Sequence, residues 1–490
     1  YCIMKKLICL VSFFVLLFVC SSFTIYAQWL PEVKLTNSLG TPKICLNNSH
    51  PIAVNKDSIH VVFTKNVNNL SSVFYKRSVD GGVSWTPDIL ISGTLDDLQD
   101  ACVAVDGQRV HAVWTKLISG AYEVHYRQST NGGTDWRPVV TIQSNTSIAI
   151  YNPSIAVSGA YVYLSWQSKL SSAEAFISFR ASSNYGSQWN TLNQLTVGDF
   201  MRVPAVCADG SKVYVIFPDD SYDHPELSLM RSTNGGASFL SKQRITDNTG
   251  ASLDPSAACS GDTVFLTWID NTTGTYQVYF KRSLNSGQTW QIDHKLTNSE
   301  TSVQSPNICA SGPNVHLVWS GNFGSEVEIF YLRGLYGGNA WQQISMITDT
   351  EFGSFDPSIA VSGNALNVLW TDHTPTHYDI FYKKNPTGNA IGITQLGMEI
   401  PISFELHQNY PNPFNPYTKI RFEIPAGGND PVQLKIFDML GREVRTLVNE
   451  NLKPGIYEAE FNAAELPSGV YFYQISCEKF IDTKKMILVK

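Results

Sequence analysis

The chain carries little charge and shows no long amphipathic helix pattern. Only 16% of its 490 residues are charged and the formal net charge is −7, so no basic surplus exists to neutralise phosphates or anionic headgroups. Nucleic acid and membrane-surface partners are therefore not expected. Beyond the N-terminal segment no apolar run is long enough to span a bilayer, and no transmembrane segment is expected. H-E-x-x-H, a phosphate-cradling Gly loop and a nucleophile elbow are all missing, which removes the commonest zinc-hydrolase, nucleotide-binding and serine-hydrolase signatures. Cysteines are few and never spaced C-x-x-C. Apart from Cys2, Cys9 and Cys20 they are Cys45, Cys102, Cys207, Cys259, Cys309 and Cys477. Cys102, Cys207, Cys259 and Cys309 fall inside apolar strand sequence, which reads as small buried hydrophobes before it reads as disulfides or metal ligands.

What is plentiful is aromatic residues (12%), glycine (34) and proline (23), the mix of many short strands joined by tight turns. At the N-terminus Lys5-Lys6, an apolar run from Leu7 to Cys20 and a small-residue exit at Ala27 have the layout of a secretory signal peptide over 1–27.

An internal period organises the rest. An aromatic closes an apolar strand at Phe63, Trp114, Trp166, Phe217, Trp268, Trp319 and Trp370, 51 or 52 residues apart, and Pro153, Pro204, Pro255, Pro306 and Pro357 open the strand before it. Each repeat reads as four strands, exemplified by PSIAV, NVHLVW, EVHYRQS and DHKLTNS. The second strand (HVVF, HAVW, YLSW, YVIF, FLTW, HLVW, NVLW) is apolar on both faces, so it must be covered on both sides. A four-stranded repeat of this length predicts an all-β fold, a β-propeller. The last copy stops near Lys384 without a fourth strand, whereas PEVKLTNS at 31–38 matches DHKLTNS. An N-terminal strand that completes the last blade makes seven blades, six being the alternative, over residues 28–390.

Between third and fourth strands lie SVDGGVSW at 78–85, STNGGTDW at 129–136, SSNYGSQW at 182–189, STNGGASF at 232–239 and SLNSGQTW at 283–290, with GLYGGNAW at 334–341 keeping only Gly and Trp. These segments resemble the Asp boxes (BNR repeats) of sialidase-like propellers. As chemistry the box is a hairpin staple: Ser and Asp or Asn bond nearby backbone, Gly permits positive φ, and the aromatic is expected to pack beneath the turn. Asn131, Asn184, Asn234 and Asn285 stand where the pattern has Asp, which keeps the turn contacts and argues for structure over catalysis.

The resemblance implies, for a sialidase, three arginines clamping a substrate carboxylate, a Tyr nucleophile activated by Glu, and an Asp acid/base. Of ten propeller arginines, Arg77, Arg127, Arg180, Arg231, Arg282 and Arg333 sit just before boxes, and Arg109 and Arg137 fall at the same end. Arg202, in FMRVP, and Arg244 are left to reach the opposite face, too few for the clamp. That face has its own pattern. Asp100, Asn152, Asp254 and Asp356 precede the inner strand, and Asp219, Asp270 and Asp372 follow the second-strand aromatic by two. Both sets are expected near the channel mouth, where carboxylates hold Ca²⁺ or accept sugar hydroxyls. The plainer reading is that Asp or Asn before Pro initiates a turn. His60, His111 and His316 share one second-strand position and read as packing residues.

After a linker expected over 391–401, Gln408-Asn409-Tyr410-Pro411-Asn412-Pro413-Phe414-Asn415-Pro416 begins a segment that continues through VQLKIFDMLGREVRTL and PGIYEAEFNAAELPSGVYFYQI to TKKMILVK. It resembles the type A sorting domain of the type IX secretion system. Alternating Val432, Leu434, Ile436 and Val470, Phe472, Tyr473, Ile475 predict a small antiparallel β-sandwich over 402–490. The resemblance implies a translocon partner and a secreted or outer-membrane surface location in a Gram-negative bacterium. The expected protein is a monomeric, exported binding propeller for glycan, another extracellular polymer or a protein. A sialidase-like exo-glycosidase and a structural surface protein are the alternatives.

Overall fold

The computed structural model describes residues 29–37, 41–45, 50–118, 121–171, 174–196, 203–312, 314–335, 337–342, 344–373, 377–386, 393–397, 401–426, 432–450, 452, 454–463, 466–477 and 480–490. Residues 1–27, read from sequence as a signal peptide, and Arg202 lie outside the described residues. The chain divides into two compact units, one of Gln28–Ile391 and one that includes Gly392–Lys490.

In the first unit the described strands form seven antiparallel sheets, six of them with their strands in sequence order and one of these carrying a fifth strand. The innermost strands, beginning with Ile52–Asn55, Leu98–Asp106 and Ala149–Ser158, lie side by side around the unit, and the last, Ser354–Ser362, lies beside the first. The ring therefore closes on itself. Its final sheet is completed from the other end of the sequence: Val33–Lys34 pairs with Tyr378–Asn385. The shared LTN sequence has a physical reason. Thr36 Oγ1 accepts from the Ile380 N–H at 3.0 Å and donates to Asp379 Oδ1 at 2.9 Å, and Thr297 does the same with the Val278 N–H at 2.9 Å and Gln277 Oε1 at 2.8 Å. Thr196, Thr246 and Thr348 accept the equivalent N–H in other blades. In these five blades one threonine hydroxyl thus pins a fourth strand only two residues long.

Second strands are buried on both faces as their patterning requires. Val61, Val62 and Phe63 are at most 1% exposed, and each core cluster mixes neighbouring blades, as where Val62, Val73 and Tyr75 meet Val110, Ala112 and Trp114. Cys102, Cys207 and Cys309 are buried and unoxidised, and burial pushes the Cys309 thiol up, so it remains a protonated, unreactive filler.

The second-strand histidines are paired inside their own blades. His60, His111 and His316 Nδ1 lie 2.6, 2.6 and 2.7 Å from the hydroxyls of Tyr75, Tyr126 and Tyr331. Burial, aided by nearby arginines, lowers the pKa of His60 to about 4 and those of His111 and His316 to about 3. An unfolded histidine titrates near about 6.5, so the unfolded chain takes up protons first, and the stability held by neutral burial is lost as pH falls below that value. The urea midpoint is expected to drop between pH 7 and pH 5. His111→Phe should lessen that slope and cost about 1–3 kcal/mol at pH 7, because the buried Tyr126 hydroxyl loses its partner. An unchanged slope in the variant would show that His111 is not a neutral, buried imidazole.

The second unit is two four-stranded antiparallel sheets. Its alternation is as expected in Val432, Leu434 and Ile436, all buried, but in Gly469–Cys477 the buried parity is Tyr471, Tyr473 and Ile475, while Val470 and Phe472 lie half-buried. A strand has period two, so Val470 and Phe472 cannot share a face with Tyr473. Residues 393–397, read from sequence as linker, form a strand paired with Gly455–Asn462.

Candidate functional site

The box turns occupy one end of the sheets and hold the ring together there. In the first box Ser78 Oγ accepts from the Gly82 N–H at 2.8 Å and Asp80 Oδ1 from the Ser84 N–H at 2.9 Å. Asn131 Oδ1 accepts the corresponding Asp135 N–H at 2.9 Å, which is why Asn substitutes freely. The box aromatic also reaches beyond its own turn, although Trp85 Nε1 donates to the Gly82 carbonyl of its own box at 3.2 Å. Trp136 packs edge-on against Tyr75 at 4.9 Å, Trp189 against Tyr126 at 5.0 Å, and Trp85 against Tyr382 at 5.0 Å, each on the preceding blade and the last across the ring closure.

The basic residues of the third strands are bonded across the same interfaces. Arg77 donates to the Gly132 carbonyl, Arg231 to Ser286 at 3.2 Å, Arg282 to Gly337, and Lys384 to Gly81 at 2.9 Å, always the box of the next blade. One position earlier, Lys76, Arg127, Arg180, Lys281 and Lys383 donate to Leu35, Ile91, Ile142, Ile245 and Ile347 on the preceding blade, at 2.6 to 2.8 Å. These side chains are bolts between blades. Arg109 stacks on Tyr185 at 4.1 Å and Arg137 bonds Gln128, also at this end.

At the opposite end the inner strands open with a repeated bulge. Register breaks between Gln99 and Cys102, Tyr151 and Ser154, Leu253 and Ser256, Gln304 and Asn307, and Phe355 and Ser358. Within each break Asp100, Asn152, Asp254, Ser305 or Asp356 has φ between 50° and 55°. Short polar side chains tolerate this left-handed conformation best, which explains the residue types. The sequence pattern thus marks a bulge, where a turn was the plainer expectation.

These bulges also bring polar groups of different blades together. Asp100 Oδ2 accepts the Asn152 N–H at 3.2 Å and Ser305 Oγ donates to Asp356 Oδ1 at 3.2 Å. Asp100, Asp254 and Asp356 are half-buried. Burial, with a contribution from the charge of Asp254, raises Asp356 to about 6, and burial raises Asp100 as well. Carboxylates from the second, fifth and seventh blades therefore lie at the same end of the inner strands, and the charge of Asp254 reaches Asp356.

The second acidic set is placed differently. Asp219 and Asp270 are 0% exposed. Asp219 holds Ser221, Ser228 and Lys242 (2.6 Å), and Asp270 holds Ser252, Asn248 and Thr272. Burial would raise Asp219, but the bonds from Lys242 and the serines outweigh it and its pKa is lowered. With no exposed surface and their oxygens bonded within their own and neighbouring loops, Asp219 and Asp270 brace the loops of this face; they do not open onto the mouth. Asp372 is 7% exposed and is raised to about 6 by burial and by Glu32. Sequence reading missed Glu226 and Glu328, buried carboxylates at the start of third strands that accept from Thr246 and Thr348. Their spacing to Gln277 and Asp379 is again 51, the signal that would have found them.

Among the described residues Glu405, His407 and Glu423 of the second unit form a cluster able to face a metal. His407 Nε2 meets Glu423 at 3.0 Å and Nδ1 meets Glu405 at 3.6 Å. Because the two ring nitrogens address different carboxylates, the imidazole bridges the pair across the strands where Glu405 opposes Glu423.

Fold and site define a β-propeller with interlocked blades and polar bulges at the end opposite the boxes, followed by a small two-sheet unit. Residues 408–490 match the family described as the secretion system C-terminal sorting domain, so this part of the chain is a type IX sorting domain and marks an exported protein, secreted or at the cell surface. No curated protein matches the chain. Among solved structures, an ulvan lyase of a new polysaccharide lyase family is similar at 10% identity, covering 72% of this chain and 95% of that one with a TM-score of 0.50. The polysaccharide lyase Uly1 is similar at 8% identity over 74% of this chain and 100% of that one, TM-score 0.50. A Trypanosoma rangeli sialidase mutant displaying trans-sialidase activity aligns at 11% identity over 94% and 90%, with a TM-score of 0.45. At such identities the likeness to the lyases is one of fold.

Proposed function

We propose that this is an exported binding propeller that takes a hydroxyl-rich extracellular glycan at the mouth opposite the boxes, delivered there by its sorting domain. The observation that supports this reading is the set of half-buried carboxylates, Asp100, Asp254 and Asp356, carried by separate blades at the same end of the inner strands, with the charge of Asp254 reaching Asp356. Carboxylates in that setting accept sugar hydroxyls directly or through Ca²⁺. The glycan-acting enzymes among proteins of similar fold supply analogy for the ligand class.

A sialidase mechanism has less support. It needs several guanidinium groups converging on one carboxylate, and Arg77, Arg127, Arg180, Arg231 and Arg282 are bonded between blades at the other end. Arg244 is held by Glu226 at 3.0 Å.

The test is binding and turnover of the full chain on a glycan panel that includes sialosides, with Ca²⁺ or with chelator, beside Asp254→Asn/Asp356→Asn. The expected result is binding without turnover, weakened at least tenfold in the variant, where about 1.4 kcal/mol corresponds to tenfold. Release of sialic acid would overturn the binding assignment, and silence over the whole panel would favour a protein partner.

A further inference from the structure

A second opening lies off the axis on the same face, in the fourth blade. It has a volume of about 420 Å³ and is lined by Ser221, Tyr222, Asp223, His224, Glu226, Arg244, Asp247, Asn248 and Thr249. That volume is within the roughly 300–1,000 Å³ of small-molecule sites. The walls come from the loop after Lys212–Asp219 and from the residues following the short strand Gln243–Arg244.

The opening is built around a fixed guanidinium. Arg244 Nη2 bonds Glu226 at 3.0 Å and Asp247 at 2.7 Å, Nε donates to the Thr246 carbonyl at 2.8 Å, and the guanidinium stacks on Tyr222 at 4.3 Å. Glu226, 1% exposed, is itself secured by Thr246, by the Asn248 N–H at 2.9 Å and by Ser252 at 3.3 Å. A cation anchored on three sides loses little freedom on meeting a ligand. Lys242 lies 5.7 Å from the same ring and is bonded to the buried Asp219.

The charge balance selects the ligand. Three carboxylates, of Asp223, Glu226 and Asp247, line the opening against the one guanidinium of Arg244, and that guanidinium is already neutralised by Glu226. A carboxylated or sulfated sugar would meet net repulsion. Uncharged hydroxyls, by contrast, can donate to Asp223 and Asp247, both exposed, and accept from Arg244, Asn248 and Thr249, while Tyr222 and His224 supply ring surface.

We infer that the fourth-blade opening formed by Tyr222, Asp223, Arg244 and Asp247 is a second subsite, one that holds an uncharged saccharide. It rests on the glycan-binding reading of the mouth, and a polymer strand gripped at two places on one face gains affinity through effective concentration.

The test titrates the full chain with xylohexaose, laminarihexaose and mannohexaose as neutral probes and oligogalacturonate as the anionic one, by saturation-transfer NMR and calorimetry. Three forms are compared: the parent, Tyr222→Ala, and Asp254→Asn/Asp356→Asn. A neutral hexaose is expected to bind, with at least tenfold loss in Tyr222→Ala and a residual signal in the mouth variant. Asp223→Asn/Asp247→Asn, both at exposed positions, should weaken the neutral probe several-fold. Binding that disappears in the mouth variant and is untouched by Tyr222→Ala would overturn the subsite and leave the mouth reading standing. Tighter binding of oligogalacturonate than of every neutral probe would overturn the ligand class. No binding by any form would overturn both readings.

Discussion

Gly133→Ala is expected to lower the unfolding free energy of the propeller by about 3–5 kcal/mol, whereas Gly107→Ala should cost only about 1–2 kcal/mol. Both glycines have left-handed backbone, with φ of 81° and 58°, so the conformational strain of an added Cβ is common to the pair. They differ in what the Cβ would meet. Around Gly107 there is nothing within 4 Å, but at Gly133 it would overlap the Tyr75 phenol. That ring cannot move aside: it is 0% exposed, bonded to His60 at 2.6 Å and packed under Trp136. Relief requires the second blade to withdraw from the first, which disturbs the Arg77 bond to Gly132 as well. The difference between the two urea midpoints isolates the inter-blade contact from backbone strain. Equal losses would show that the box glycine serves its own turn and not the joint between blades.

That joint explains which parts of the molecule could be read from sequence. Features that repeat within one blade were legible, because a 51-residue period puts the same chemistry at the same register: the second-strand aromatics, the Ser and Asx of the boxes, and the Thr36 strand that completes the last sheet. Features that join blades were not. Trp136 meets Tyr75 and Arg282 meets Gly337 across more than fifty residues, and nothing local distinguishes such a bolt from an exposed cation beside a turn. The two acidic sets looked alike in sequence for a related reason. Asp254 and Asp270 are both Asp at a strand end, yet one sits in a bulge at the mouth and the other among donors from Ser252, Asn248 and Thr272. Periodicity locates a residue along a strand; it says nothing of which neighbours saturate it. The fourth-blade opening escaped notice because Tyr222 has no aromatic counterpart, Thr273 standing 51 residues on, while Arg244 repeats as Lys34 and Lys295 and so looks like an ordinary fourth-strand cation.

Asp356→Asn should make the protein more stable and a poorer binder at once. Burial and the charge of Asp254 raise the folded-state pKa of Asp356 to about 6, against 3.8 for an ordinary aspartate. Between those two values the folded state binds more protons than the unfolded chain, so this group's contribution to stability falls as pH rises and is fully unfavourable by pH 7. At about 1.36 kcal/mol per unit, and allowing for partial exposure, the penalty is about 2 kcal/mol. Asparagine removes the charge and keeps the backbone, since Asn152 holds φ at 55° where Asp356 has 54°, and its amide oxygen still accepts from Ser305. The variant's stability gain is therefore expected at pH 7, shrinking through pH 6 and gone near pH 4. A carboxylate held at that cost, where the third blade manages with the amide of Asn152, is accounted for by a ligand that needs the charge. A gain in stability with unchanged glycan binding would reduce Asp356 to a bulge residue, and no gain at pH 7 would mean that water reaches the mouth freely enough to leave its carboxylate unstrained.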